Sequence, residues 1–299
     1  MQKETIIAIV GFLGAGKTTL LRKLIDLYLG EKMSPYIVLN DYENAYLDAQ
    51  QISQKLNSDS IKALNGSCIC CTGIGELRDL VNNIPQRKNG ITLIEANGTS
   101  DACSLMGFLG VGINDRFLPP IQLSVVDANN WQKRDEHNEL EANQVQVSSL
   151  IVLSHLNKVN EERKKEVIVA LKKLNSFATI IEMKEIDVRK FSMLKPSENK
   201  AQKMNHHKSH WSSCSVALPS LPNLAAITKV CSGIPQNILR VKGCTKVGTD
   251  VHFTYFERTP DGSISVRPYN GIPTTGPMLL AVGAGSEPDM LSKAIRSAI

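Results

Sequence analysis

The glycine-rich stretch from Gly11 to Thr18, GFLGAGKT, restricts the fold of this chain more than any other feature of its sequence. It matches the pattern G-x-x-x-x-G-K-[ST] and stands between an apolar run of strand length, TIIAIV, and a helical pattern, TTLLRKLIDLYL. In that setting the backbone N–H groups of the loop, which we call the P-loop, bind phosphates at the helix N-terminus. We expect Lys17 to contact the β and γ phosphates of a nucleoside triphosphate and Thr18 to coordinate Mg²⁺. The predicted nucleotide-contacting residues of the loop are Gly11, Gly14, Ala15, Gly16, Lys17, Thr18 and Thr19.

Apolar runs of strand length alternate with helical patterns from the first strand as far as Met183. This alternation predicts an α/β domain with a mostly parallel sheet and helices on both faces. A polar, Lys- and Ser-rich stretch broken by Pro196 follows, and it is typical of a linker. The remaining strand and helix patterns predict a smaller α+β domain. The predicted boundaries are 1–185 for the nucleotide-binding domain, 186–210 for the histidine-bearing linker and 211–299 for the second domain.

Composition and charge argue against several classes of partner. The net charge is +5, and the basic residues are scattered without interleaved aromatic side chains, so no nucleic-acid partner is expected. No apolar run reaches the roughly 20 residues that span a bilayer, so no membrane partner is expected. The first residues lead directly into a strand rather than forming a signal peptide, and the seven cysteines are an odd number. We therefore expect a cytoplasmic protein whose clustered thiols serve metal or redox chemistry.

A carboxylate and a glycine follow the apolar strand ITLIEA. Glu95 stands at the end of this strand, and Gly98 follows three residues later. In P-loop proteins an acidic residue at the end of a neighbouring strand can hold the Mg²⁺ shell, and a glycine beyond it can offer its N–H to the γ-phosphate. We expect Glu95 and Gly98 to have these roles, with a solvated carboxylate as the alternative for Glu95.

Three of the seven cysteines lie within four positions, in the sequence CICC. Thiolates are soft ligands for Zn²⁺ or Cu(I), and the spacing of Cys68 and Cys71 suits one ion, with Cys70 as a third ligand. Three protein ligands leave a fourth position open, whereas a structural zinc site is normally closed by four. The pattern therefore favours metal exchange. A redox-active thiol pair and a permanent structural zinc remain as alternatives.

Four segments in a fixed order, GFLGAGKTTLL, NDYENAYLD, NGSCICC and LIEANG, resemble the CobW-type metallochaperone GTPases, relatives of cobalamin-biosynthesis and nitrile-hydratase-activator proteins. The resemblance implies a GTPase that uses GTP and Mg²⁺ and delivers a metal to a client metalloprotein. The metal is Zn²⁺ in most members and Co²⁺ or Fe²⁺ in some. The resemblance also implies that 211–299 form the family's C-terminal domain. Catalysis would rest on positioning and electrostatic stabilisation by Lys17, Thr18, Glu95 and Gly98.

The sequence departs from the family pattern at two places. The segment NDYEN replaces the family's N-E-F-G-E, and it leaves Asp41 as a candidate oxygen ligand beside the thiols. Ser154, His155 and Asn157 occupy the place of the guanine-reading N-K-x-D, with 157–160 as an alternative register. A carboxamide at Asn157 offers one acceptor and one donor pair where the family's Asp offers two acceptors. We therefore hypothesise relaxed base choice or some use of ATP.

Two other functions stay open: a metal store or sensor without nucleotide coupling, and a P-loop kinase of a small molecule. Asp127 is expected either near the nucleotide or as the cap of the next helix. The linker histidines hold a second metal or are simply solvated, and the isolated cysteines are expected in the core. The linker histidines are His206, His207 and His210, and the isolated cysteines are Cys103, Cys214, Cys231 and Cys244.

Overall fold

The computed structural model of the protein describes residues 3–40, 52, 55–64, 74–197, 213–269, 271–273, 276–283 and 285–299. Contacts along the chain divide it into two units. The first comprises 1–41 with 56–209, and the second comprises 42–55 with 210–299.

A seven-stranded sheet, parallel throughout, forms the centre of the first unit, in the order β3-β2-β4-β1-β5-β6-β7. Buried aliphatic residues fill its central strands, as expected for a sheet covered on both faces. Parallel strands place all their carboxyl ends at one edge, where ligands bind in open α/β sheets. The strands are β1 (Thr5–Val10), β2 (Ser34–Asn40), β3 (Ile61–Leu64), β4 (Gly90–Glu95), β5 (Ile121–Asp127), β6 (Leu150–Ser154) and β7 (Thr179–Glu182).

Helices lie on both faces of this sheet, which confirms the predicted α/β class. Ile6 and Val10 of β1 belong to a core shared with the second and third helices, whereas the alternate residues Ile7 and Ile9 point to the opposite face. The first helix contacts β1, β2 and β4 and buries Leu20 and Leu24. The helices described here are α1 (Lys17–Gly30), α2 (Ile74–Asn83), α3 (Ala102–Leu109), α4 (Asn138–Gln146) and α5 (Glu161–Leu174).

The stretch predicted as a linker begins with ordered backbone. Residues Val188–Met193 form a 3₁₀ helix that buries Val188 and Phe191 and contacts α1. These two apolar side chains, spaced by three residues, fit the three-residue period of a 3₁₀ turn. The first unit therefore continues past residue 185, and the predicted histidines of the linker lie outside the described residues.

The second unit contains an antiparallel five-stranded sheet in the order β11-β10-β9-β12-β8, which matches the predicted α+β region. Two helices share a core with it, in which Ile227 and Leu291 pack with Phe256. Gly243 faces the Phe256 ring so closely that any Cβ there would overlap it. The elements are β8 (Ser213–Ala217), α6 (Leu224–Ser232), β9 (Ile238–Lys246), β10 (Phe253–Arg258), β11 (Ile264–Tyr269), β12 (Met278–Gly283) and α7 (Pro288–Arg296).

The isolated cysteines behave as small core residues. Cys214, Cys231 and Cys244 are buried, Cys103 is half-buried, and all four are free thiols. Burial raises the pKa of Cys231 to about 11 and that of Cys244 to about 12, so both are thiols rather than thiolates at neutral pH. Within the described part of the chain, no helix combines the length and the apolar character required to cross a bilayer.

Candidate functional site

The P-loop connects β1 to α1 at the carboxyl edge of the parallel sheet. Gly11, Gly14 and Gly16 have φ angles of 146°, 76° and 101°, a region that favours glycine. Gly11 also lies directly against the Val125 carbonyl of β5, where a Cβ would overlap it. The glycines are therefore required by backbone conformation, and Gly11 also by its packing on the neighbouring strand.

Lys17, the first residue of α1, folds back over the P-loop and is only 4% exposed. Its Nζ donates hydrogen bonds to the carbonyls of Gly11 (2.9 Å) and Phe12 (3.2 Å). The ammonium group thus lies over the loop, where it holds the backbone in a closed turn. The same charge at the same place is suited to phosphate oxygens.

Thr18 and Glu95 join the P-loop helix to the end of β4. The Thr18 hydroxyl donates to Glu95 Oε1 over 2.7 Å. Glu95 is buried and is paired in the sheet with Ile9 and Leu39, so its backbone position is fixed by both neighbouring strands. A hydroxyl and a carboxylate are hard oxygen donors of the kind Mg²⁺ prefers beside substrate phosphates. The residues present therefore fit a Mg²⁺ ion.

Gly98 lies in a tight turn that packs against the P-loop. The Ser100 N–H donates to the Asn97 carbonyl over 3.0 Å and closes the turn, which we call the 97–100 turn. A Cβ on Gly98 would lie 2.8 Å from the backbone nitrogen of Leu13, so only glycine permits this approach. The close packing against the P-loop therefore gives a steric reason for glycine at position 98, in addition to the predicted role of its N–H.

The residues in place of the guanine-reading motif contact the P-loop. Ser154 Oγ donates to the carbonyls of Ala15 (2.6 Å) and Val126 (3.1 Å). His155 Nε2 lies 3.0 Å from the Gly14 carbonyl, and because a carbonyl only accepts, this nitrogen must carry the proton. Ser154 and His155 therefore brace the loop, a role that sequence spacing did not reveal. Asn157 is exposed on the 3₁₀ helix Leu156–Lys158, and base recognition at these positions stays a prediction.

A buried charged cluster covers the other side of the P-loop. The Arg134 guanidinium lies 4.5 Å from the centre of the Phe12 ring and forms ion pairs with Asp127 (3.4 Å) and Glu141 (3.2 Å). The His137 ring stacks on Phe12 with 5.8 Å between centroids. Burial lowers the pKa of His137 and raises that of Glu141. Sequence reasoning singled out Asp127 but missed the other members of this cluster, because they carry no motif.

The contacts of Asp127 answer whether this residue caps the next helix. Its Oδ1 accepts hydrogen bonds from the backbone N–H groups of Asn129 (3.0 Å) and Asn130 (3.2 Å). It thus caps the turn after β5 and anchors Arg134, rather than capping a helix.

The predicted metal ligands Cys68, Cys70, Cys71 and Asp41 lie outside the described residues. Elsewhere, across the described ranges, no three potential ligands from His, Cys, Asp and Glu are grouped to hold an ion. The strands that lead to the two predicted ligand segments are described, however. Asn40 ends β2 and is paired with Leu64, which ends β3, and the adjacent Leu39 is paired with Glu95. Asp41 directly follows Asn40, and Cys68 follows Leu64 by four residues.

The chain is similar in sequence to two curated proteins whose names refer to zinc. The "zinc chaperone YjiA" of Escherichia coli is 27% identical over 172 residues, which cover 55% of this chain and 53% of that protein. The "zinc-regulated GTPase metalloprotein activator 1" of Dictyostelium discoideum is 24% identical over 218 residues, which cover 60% and 46%. The chain thus spans about half the length of these relatives. The crystal structure of Zn(II)-bound YjiA GTPase from E. coli aligns over all of both chains with 17% identity and a TM-score of 0.43.

A family model also matches the chain, and its match covers the whole parallel sheet. The model described as CobW/HypB/UreG, nucleotide-binding domain, matches residues 5–182, from the start of β1 to the end of β7. It includes the P-loop, Glu95, the 97–100 turn and Ser154. Since the matched region exceeds half of the chain, this protein belongs to the CobW/HypB/UreG family.

Proposed function

We propose that this protein is a GTP-hydrolysing metallochaperone that binds zinc through Cys68, Cys70 and Cys71 and passes it to a client metalloprotein. The observation that carries the nucleotide half of the proposal is the 2.7 Å hydrogen bond between Thr18 and Glu95, which places a hard-oxygen pair beside the P-loop. Family membership and relatives named as zinc chaperones support the metal half.

The residues at the loop have complementary tasks in hydrolysis. Lys17 exchanges its bonds to the loop carbonyls for phosphate oxygens, and the backbone N–H groups of the loop bind the remaining oxygens. Thr18 and Glu95 would hold Mg²⁺, which supplies positive charge to the phosphates when bound. The Gly98 N–H would bind the γ-phosphate. Catalysis then consists of positioning and electrostatic stabilisation by fixed groups.

The sheet edge offers a physical link between nucleotide and metal. The chain leaves β2 at Asn40 and β3 at Leu64 from the same edge that carries Glu95. Both predicted metal-ligand segments therefore follow strands that end at the sheet edge where we propose nucleotide to bind. Thiolates suit zinc as cargo, and Asp41 would complete the shell with an exchangeable oxygen. γ-Phosphate contacts that order these segments change the affinity for zinc, and by linkage zinc changes the affinity for nucleotide.

A competition assay tests the coupling. Zinc is titrated into the purified protein in the presence of a chromogenic chelator, with GDP or with the non-hydrolysable analogue GppNHp. We expect the apparent zinc affinity to differ between the two nucleotides by about tenfold, the middle of the usual range for coupled sites. Cys70→Ser with Cys71→Ser should abolish tight zinc binding, whereas Lys17→Ala should retain zinc binding and lose the nucleotide effect.

The outcomes separate the alternatives. Equal zinc affinities with both nucleotides, together with intact binding, indicate a store or sensor and contradict the chaperone. Hydrolysis of the γ-phosphate only in the presence of a small-molecule acceptor indicates a kinase instead.

A further inference from the structure

The 97–100 turn is held from outside by a single buried side chain. Gln144 Nε2 donates to the carbonyl of Gly98 over 3.0 Å and to the carbonyl of Ser100 over 3.1 Å. Gln144 lies in α4 and is 1% exposed. One carboxamide therefore holds two carbonyls of the turn that is predicted to contact the γ-phosphate.

Gln144 is itself anchored to the sheet. Its main-chain carbonyl accepts hydrogen bonds from Gln122 Nε2 (2.7 Å) and Ser124 Oγ (2.5 Å), both on β5. The next residue, Val145, is buried in the core shared by α4, β5, β6 and α5. The carboxamide is thus attached to a rigid base next to β1, the strand that leads into the P-loop.

Among the backbone N–H groups of the turn, one is left available. Asn97 accepts hydrogen bonds from two other N–H groups of the turn: its carbonyl accepts from the Ser100 N–H, and its side-chain oxygen accepts from the Thr99 N–H (3.2 Å). Among the described residues the structure gives the Gly98 N–H no acceptor. The Gly98 N–H belongs to the Asn97–Gly98 peptide, whose carbonyl is held by the Ser100 N–H, while Gln144 holds the carbonyls of Gly98 and Ser100 in the peptides that follow. The turn is therefore fixed as a whole, with an open backbone donor beside Leu13 of the P-loop.

Burying the carboxamide of Gln144 costs free energy, which indicates that the hydrogen bonds donated by its Nε2 are important to the turn. Gln144 Oε1 is buried and has no partner within the described ranges. A buried acceptor without a partner is unfavourable, and an apolar side chain of similar size avoids that cost. The two bonds from Nε2 to the turn are what the polar side chain provides in exchange.

We propose that Gln144 is a positioning residue for γ-phosphate recognition, acting through the 97–100 turn that carries the Gly98 N–H. The proposal rests on the proposed function, since it assumes that the P-loop binds a nucleoside triphosphate. Gln144 touches no nucleotide itself. By holding the turn, it keeps the Gly98 N–H in the direction that distinguishes a triphosphate from a diphosphate. Helix α4 thereby connects this turn to the cluster around Arg134 on the far side of the P-loop.

Fluorescent methylanthraniloyl derivatives of GDP and GppNHp measure this distinction. In Gln144→Leu and Gln144→Met we expect affinity for the GppNHp derivative to fall by about tenfold while affinity for the GDP derivative stays within about twofold. The matched control is Asn143→Leu in the same helix. Asn143 Oδ1 accepts from the Ala102 N–H over 3.0 Å and does not contact the turn. This variant should lower the melting temperature without changing the ratio of the two affinities.

Hydrogen exchange on the unmodified protein provides a second measurement, which does not depend on how the variants fold. GppNHp should slow exchange of the 97–101 amides, and GDP should not. Equal exchange with both nucleotides, or an unchanged affinity ratio in folded Gln144 variants, overturns this inference and leaves the GTPase proposal intact. Absence of any nucleotide binding by the unmodified protein overturns both.

Discussion

Ser154 Oγ and the Ala15 carbonyl, 139 residues apart in the chain, are joined by a 2.6 Å hydrogen bond. The bond connects the end of β6 to the middle of the P-loop, and a second bond from the same hydroxyl reaches Val126 of β5. A loop that must present its N–H groups to phosphates has its carbonyls held from behind, here by Ser154, His155 and Lys17. The residues expected to read the base therefore also shape the phosphate site.

Replacing Ser154 with Ala should loosen the P-loop. The substitution leaves the Ala15 carbonyl without this partner, so we expect the free energy of unfolding to fall by about 1 kcal/mol. Nucleotide affinity should fall several-fold, because the loop must then be ordered on binding. Thr245→Val is the matched control, since the buried hydroxyl Thr245 Oγ1 also donates to two backbone carbonyls, those of Leu218 (3.2 Å) and Pro219 (3.0 Å), in the second unit. If Thr245→Val lowers nucleotide affinity as much as Ser154→Ala does, the bracing role of Ser154 is contradicted.

Glu95→Gln should reduce hydrolysis and increase the Mg²⁺ concentration required. The amide retains an acceptor for the Thr18 hydroxyl but loses the negative charge that attracts the cation, and we expect a rate loss on the order of a hundredfold. Glu4→Gln offers a control, because Glu4 is a buried carboxylate before β1, paired with Arg87 (2.7 Å) and Arg116 (3.2 Å). That variant should be less stable and keep its Mg²⁺ dependence. A Mg²⁺ requirement unaffected by Glu95→Gln argues against this ligand.

Base choice should respond to Asn157. If its carboxamide faces the base, purified protein should hydrolyse GTP and ATP at rates that differ by much less than a thousandfold, and Asn157→Asp should increase the preference for GTP. Asn160→Asp tests the alternative register, although Asn160 Oδ1 already accepts the Arg163 N–H (2.9 Å) as the cap of α5. A thousandfold preference for GTP in the unmodified protein removes the hypothesis of relaxed base choice.

The free energy of unfolding should depend on pH through the titration of Glu141. Burial, the largest influence on this carboxyl, raises its pKa above the ordinary value of 4.5, so the folded state binds its proton more tightly than the unfolded state does. Stability from this group is therefore present below pH 4.5 and is lost as the pH rises through the raised folded value. Glu141→Gln should remove this decline. Unfolding midpoints measured between about pH 4 and 7 check it, and parallel profiles for both proteins contradict the assignment.

Local sequence was sufficient to predict the nucleotide half of the fold. The P-loop pattern, the period-two and helical apolar patterns and the strand-end Glu95 are all properties of contiguous residues, and the structure bears out the parallel α/β sheet that they indicated. The second unit was likewise visible as strand and helix patterns. The 3₁₀ helix Val188–Met193 was missed because its two buried side chains stand in a stretch whose composition is polar.

The sequence by itself determined which chemistry is available: a phosphate loop, a hard-oxygen pair, and three clustered thiols. Only the tertiary structure decided which groups from distant strands support that chemistry. Gln144 and Arg134 have no motif, and the motif position of Ser154 did not reveal its bond to the P-loop, because these roles depend on hydrogen bonds and ion pairs across the carboxyl edge of the sheet. Strand order and register set those distances, and they arise from long-range packing that no short stretch of sequence contains.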